Sequence, residues 1–321
     1  MQENLEMNKT VDSRRIWVFL AFAFGLAWAI DLIIYLTGGL TRLGIGTLAW
    51  MLLVVTMAAP TLAHLLTRLI TREGWQDVYL RPHFKRSWPF WLAAWVGTPL
   101  LVLLGTGLFF TVFPNFFDTS MTTASHLLDQ AATAAGRPVP LSPQLFIILQ
   151  IIQAIILAPL INGLATLGEE FGWRAYLLPR LMPLGGRKAM VLLGVIWGVW
   201  HWPVIAMGYN YGLDYPGAPW PGLLAMVWFT FVFGTFLGWL TLKAESVWPA
   251  VIAHASINGI GAIGAFLAQG QPNPLLGPTP VGLVASIPFT VLALWLLWRA
   301  DVFAPKKSTP AQVPVQLASH P

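Results

Sequence analysis

Seven titratable side chains fall within or beside stretches that are otherwise apolar, and they are the residues of this chain best placed to do chemistry. They are Asp31, His64, Glu169, Glu170, Arg174, His201 and His254, with the amides Asn162 and Asn258 in similar surroundings. Ionisable groups inside a membrane are costly to keep there and mark functional sites. The sequence contains no cysteine, which excludes disulfides, thiol nucleophiles and thiolate metal sites. Carboxylate and imidazole chemistry remains.

Spacing sorts these residues. Side chains four apart on a helix share a face. Glu170 and Arg174 are so placed and read as an ion pair, structural in the first instance, that neutralises one of two adjacent carboxylates. Glu169 projects about 100° away around the helix and is free to face a cavity. His254 and Asn258, also four apart, can address one point in space, and Trp197 can flank the ring of His201. His64 and Asp31 read as interhelical hydrogen-bonding groups.

The elements that must carry these residues follow from composition. Hydrophobic residues make up 56% of the 321 and charged residues only 10%, with a mean hydropathy of +0.67. A membrane is the natural solvent for such a chain. Helices of roughly 20 apolar residues cross a bilayer core about 30 Å thick, and eight such spans are expected. Their approximate limits are Ile16–Leu36, Ile45–Leu66, Pro89–Val112, Leu145–Leu167 with a helical extension, Met190–Met207, Leu223–Leu242, Val247–Leu267 and Val281–Trp298. The fold class is all-α and polytopic. The first span is too long for a signal-peptide core and reads as retained. Several of the 17 tryptophans, Trp17, Trp88, Trp91, Trp248 and Trp298 among them, fall near the ends of apolar runs, where indole rings favour the headgroup boundary.

With both termini in the cytoplasm, 16 of the 18 Lys and Arg residues, from Lys9 to Lys307, fall on the inner side, leaving only Arg42 and Arg137 outside. That distribution satisfies the positive-inside rule. It also accounts for the net charge of +5 without nucleic-acid binding. Three organisational units are expected: a cytoplasmic segment over 1–15, a membrane domain over 16–299 and a disordered tail over 300–321. An amphipathic surface helix around Ser125–Ala135 or a mobile linker fills the longest outer loop. Counting 1.5 Å per helical residue from the nearest inner basic residue puts Glu169 and His254 about 16 Å deep and His201 about 20 Å deep. Three helices thus bring their polar residues to one layer, read as lying in the cytoplasmic half of the bilayer.

At these same positions the sequence resembles the CAAX protease and bacteriocin-processing (CPBP, or Abi) family. GEEFGWRAYLLPRL, from Gly168 to Leu181, is similar to the family's first motif of two glutamates, three residues and an arginine. WGVWH, from Trp197 to His201, matches its second, with Trp where Phe is commoner. HASIN, from His254 to Asn258, fits the third, and ESVWPAVIA before it is also family-like. The resemblance covers Gly168 to Asn258 and implies an eight-span intramembrane endopeptidase of the type II CAAX prenyl endopeptidase kind. It makes Glu169 the base that activates water, His201 the residue that positions that water, and Asn258 with His254 the oxyanion donors, with Glu170, Arg174 and Trp197 in support.

Family members are often described as metalloproteases. Glu169, His201 and His254 would suffice for zinc or another divalent metal with a fourth position for water, but no HExxH helix is present and each histidine must come from its own helix. A mechanism without cofactor is slightly preferred. Expected partners are membrane lipid and a peptide or protein substrate, lipid-modified or not, cut near the cytoplasmic side. The expected location is a bacterial cell membrane. A non-catalytic immunity or scaffold protein of the same family is the alternative, and a small-solute transporter using the carboxylates as a proton relay is a third reading.

Overall fold

A computed structural model of the chain describes residues 11–40 and 47–304. Lys9, Arg42, Lys306, Lys307 and most of the expected tail lie outside the described residues, as does the greater part of the amino-terminal segment. Among the described residues the architecture is all-helical, with a single isolated bridge between Phe117 and Ala268 in place of any strand. Five helical stretches are long and apolar enough to cross a membrane: α1 (Ser13–Leu36), α2 (Leu48–Thr71), α3 (Phe84–Val112), α8 (Trp220–Ala244) and α9 (Trp248–Phe266). Between α3 and α8 come α4 (Thr122–Ala135), α5 (Pro143–Ile156), α6 (Gly163–Gly172) and α7 (Gly186–Trp200), and α10 (Ile287–Arg299) follows α9. The surface segment after α3 is therefore a helix, seated by Ala124 and Leu128.

Three expected spans are shorter or more broken than their hydropathy suggests. The stretch Leu145–Leu167 divides at Pro159 into α5, one turn over Ala158–Ile161, and α6. Proline has no N–H to bond the carbonyl four residues earlier, and the Trp95 indole donates to the Ile155 carbonyl instead, at 2.5 Å. The stretch Met190–Met207 pauses at His201 before a short helix Trp202–Ala206, with Pro203 in its first turn. The last span starts at Ile287 because residues 277–286, containing Gly277, Pro278, Pro280 and Gly282, form turns. At the carboxyl end, the packed body continues past 299: a turn over Asp301–Phe303 buries Phe303.

Close packing rather than propensity fixes the helices around the centre. A Cβ on Gly168 would lie 2.6 Å from the Met57 carbonyl oxygen, and one on Gly172 would collide with Pro60, so α6 meets α2 backbone to backbone. Gly194 and Gly198 do the same for α7 against Phe231 and Val227 of α8. Such paired small residues replace the hydrophobic drive that lipid does not supply between helices. The first helix is fastened to the end of α7 by two indoles: Trp28 donates to the Trp200 carbonyl and Trp200 to the Ala23 carbonyl, each at 3.1 Å. Outward faces remain apolar, as at Leu104, Leu164, Leu224 and Val291. Trp17, Trp88 and Trp298 are exposed near helix ends.

One end of the bundle is laced with ion pairs. Glu73, just beyond α2, accepts from Thr71 and Tyr176, each at 2.7 Å, and pairs with Arg180 and with Arg15. Arg68 reaches Asp77 at 2.6 Å, and Lys243 reaches Asp301 at 2.5 Å. Burial by itself would raise the Glu73 pKa, but hydrogen bonds from Thr71, Tyr176 and Arg180 outweigh it and hold the carboxyl down at about 2. A carboxylate depressed in the folded state adds stability above its unfolded pKa, and that stability is lost as pH falls through the folded value. The unfolding temperature of the detergent-solubilised protein is expected to drop between pH 4.5 and about 2, and Glu73→Gln to flatten that drop; thermal melts across the range measure it.

Candidate active site

Glu169 and Glu170 sit near the end of α6, which continues as a π-helical turn over Trp173–Leu177. The glycine contact with α2 presses one face of α6 outward and leaves the two carboxylates on its inner faces. Glu170 is fully buried. Its Oε1 accepts from Arg174 Nη1 at 3.0 Å and from His254 Nδ1 at 2.7 Å, so the expected pair with Arg174 is present and gains a third member. Spacing paired His254 with Asn258, and depth placed it in one layer with Glu169 and His201, but neither pointed to Glu170. In the structure one nitrogen of His254 belongs to Glu170, and the ring still forms part of the cavity wall together with Asn258.

Glu169 turns away from this pair, as the helical geometry requires. Its Oε2 accepts from the indole Nε1 of Trp197 at 2.8 Å. Trp197 does more than flank a ring. Its face carries the Arg174 guanidinium, 4.0 Å from the ring centroid, a favourable cation–π placement. Its carbonyl meets His201 Nδ1 at 2.7 Å. That carbonyl is available because the His201 backbone N–H bonds to Gly198 instead, where α7 stops. A carbonyl can only accept, so Nδ1 of His201 carries the proton and Nε2 of the neutral ring presents a lone pair. The His254 ring stands edge-on to Trp197 with centroids 5.5 Å apart.

Glu169, Trp197, His201, His254 and Asn258 all line one cavity of about 550 Å³, a size usual for ligand sites. Its remaining wall is largely apolar, with Leu53, Val54, Met226, Phe229 and Ile257, and polar at Asn162 and Asn210. The two residues read as hydrogen-bonding groups part company here. His64 is buried, facing the Phe171 carbonyl with Nδ1 at 2.9 Å and accepting from Arg68 Nε at 2.6 Å. Asp31 is equally buried, yet its Oδ1 has no hydrogen-bond partner among the described residues, and it forms part of the cavity wall. The reading of Asp31 as an interhelical bonding group therefore fails for that oxygen; no sequence pattern distinguished it from His64.

Among the described residues no three His, Asp or Glu side chains converge closely enough to hold a metal ion. Glu169, His201 and His254 are chemically suitable donors but do not form a ligand set in this arrangement.

A polytopic helical membrane protein with a buried carboxylate–imidazole site is thus the class defined by fold and geometry. Residues 144–260 match the family described as type II CAAX prenyl endopeptidase Rce1-like. A stretch of 98 residues is 33% identical to CAAX prenyl protease 2 of Methanococcus maripaludis and covers 30% of this chain and 36% of that relative. The matched segment is similar to the CAAX protease family and contains Glu169, Glu170, Arg174, Trp197, His201, His254 and Asn258. The match spans little more than a third of the relative's length.

Removing one partner of a buried ion pair leaves the other charge uncompensated, at a cost of about 3–5 kcal/mol. Arg174→Met is expected to destabilise the protein on that scale, and Arg174→Lys to recover part of the loss; denaturant unfolding in detergent micelles measures both.

Proposed function

We propose that the protein is an intramembrane endopeptidase that hydrolyses a peptide bond by water activated at Glu169. The observation that carries this reading is the convergence of Glu169, His201, His254 and Asn258 on one cavity, with Glu169 fixed by the Trp197 indole. The Glu169 oxygen not engaged by Trp197 takes a proton from water. His201 Nε2, bare because Nδ1 is committed to the Trp197 carbonyl, accepts the water's other O–H and aims it. The hydroxide so formed attacks the peptide carbonyl carbon.

The carbonyl π bond opens to an oxyanion, which needs donors already in position in a water-poor site. Asn258 supplies its amide N–H, and His254, as an imidazolium held at Nδ1 by Glu170, supplies Nε2–H. Collapse of the tetrahedral intermediate breaks the C–N bond. The proton held by Glu169 passes to the departing amine nitrogen, so one proton makes the full circuit and Glu169 is restored. Glu170 and Arg174 keep their pairing throughout and act by positioning His254 and Trp197. The substrate is a peptide or protein segment at the membrane, with or without a lipid, and the apolar wall suits extended, apolar side chains. This mechanism needs no metal.

The test is cleavage of a quenched fluorescent peptide library by purified protein. Glu169→Ala is expected to abolish turnover without loss of folding, and activity of the parent to survive exhaustive chelation. Loss of activity on chelation, restored by zinc, would sink the metal-free step. Trp197→Phe keeps the ring but removes the N–H to Glu169; misplacing a reacting group costs about 100-fold in rate, so kcat is expected to fall on that scale with KM little changed. A folded parent that cuts nothing across the library favours the immunity or scaffold reading.

A further inference from the structure

The residues that line the cavity are spread unevenly along the bundle, and the end most of them approach is its mouth side. Counted along their helices, Glu169, Trp197, Phe233 and His254 are the lining residues nearest the basic end of the bundle, and they are taken as the floor. The other lining residues lie to one side of that floor. Asp31 is near the end of α1, Trp50 and Leu53 are in the first turns of α2, and Met226 is in the second turn of α8. Tyr209 and Asn210 follow the short helix after α7, Gly261 and Ala262 close the main run of α9, and Thr279 to Val281 precede α10. Each of these positions belongs to the same end of the bundle, where α1, α7 and α9 finish and α2, α8 and α10 begin.

The basic residues occupy the opposite end. Arg14 and Arg15 begin α1, Arg68 and Arg72 end α2, and Arg81, Lys85 and Arg86 lead into α3. Arg180 lies between α6 and α7, Arg187 and Lys188 fall in the first turn of α7, Lys243 ends α8 and Arg299 ends α10. Among the described residues only Arg137, on the mouth side, and the buried Arg174, at the floor, stand elsewhere. That basic end is also the one closed by Glu73 with Arg180, Arg68 with Asp77 and Lys243 with Asp301. Loops rich in Lys and Arg are retained on the cytoplasmic side during insertion.

We propose that the cavity opens on the non-cytoplasmic face, so that its substrate is a peptide segment presented from outside: an exported chain, or the outer juxtamembrane stretch of an anchored one. This rests on the cavity being the active site and reverses the expectation of a cytoplasmic opening. Asn210 and Asp31, the latter with an unpartnered oxygen, line the cavity on that side of Glu169.

The absence of cysteine from the whole chain gives a test without background. Single substitutions Asn210→Cys and Leu213→Cys report on the mouth side, and Arg81→Cys on the basic end; all three positions are exposed, and Asn210 lines the cavity itself. Full-length protein in intact cells and in sealed inverted vesicles is treated with a membrane-impermeant maleimide. The expected result is labelling of Asn210→Cys and Leu213→Cys in intact cells, lost in inverted vesicles, with Arg81→Cys showing the reverse. Labelling of the mouth positions only in inverted vesicles overturns the proposal. So does protection of both in intact cells when both react after detergent solubilisation. Labelling needs no turnover, so a failed orientation and a failed protease reading give separate signals.

Discussion

Two adjacent carboxylates buried in an apolar bundle impose the constraint around which this molecule is arranged. Placing a charge away from water costs several kcal/mol unless partners meet it at close range. Glu170 finds Arg174 one turn along its own helix and His254 from α9. Arg174 in turn lies on the face of Trp197 from α7, and that indole donates to Glu169. The carboxyl groups of Glu169 and Glu170 therefore draw on three helices, and any shift of α6, α7 or α9 would strand at least one of them. The helices must also approach to backbone contact for side chains this short to meet, which is the office of Gly168, Gly172, Gly194 and Gly198.

Much of the fold was legible because the bilayer enforces it. Length and hydropathy located α1, α2, α3, α8 and α9 to within a few residues, and the four-residue spacing anticipated the Glu170–Arg174 pair and the separate orientation of Glu169. Hydropathy could not locate the interruptions at Pro159 and His201. Their stability depends on distant groups: the Trp95 indole takes a carbonyl that Pro159 cannot serve, and nothing near Pro159 in the chain announces it. Trp197 was visible as a neighbour of His201. Its N–H and carbonyl roles were not, because they depend on a helix stopping one residue short and on a carboxylate 28 positions away. Asp31 and His64 looked alike as isolated polar residues; only the packed structure gives partners to one and leaves an oxygen of the other bare.

Nδ1 of both histidines is committed to a fixed acceptor, a main-chain carbonyl for His201 and a carboxylate for His254. Since both bonds use the same ring atom, both imidazoles are left with Nε2 as the nitrogen without a described partner. The acceptors differ in charge: a neutral carbonyl for His201 and, for His254, a carboxylate shared with Arg174. Two residues of one type are thereby anchored through the same ring atom by groups of different charge.

The contact of Gly168 and Gly172 with Met57 and Pro60 bears on how such a protein can diversify. The recognisable family segment begins at residue 144, while α1 and α2 lie wholly before it and contribute Asp31, Trp50, Leu53 and Val54 to the cavity wall. The boundary drawn by similarity therefore cuts through the cavity rather than around it. The carboxylates and imidazoles come from the matched segment and part of the apolar wall from outside it, the two tied by a seam of glycine against backbone. Substitutions in α1 or in the first turns of α2 would reshape the cavity without displacing the carboxylates and imidazoles, provided that seam stays narrow.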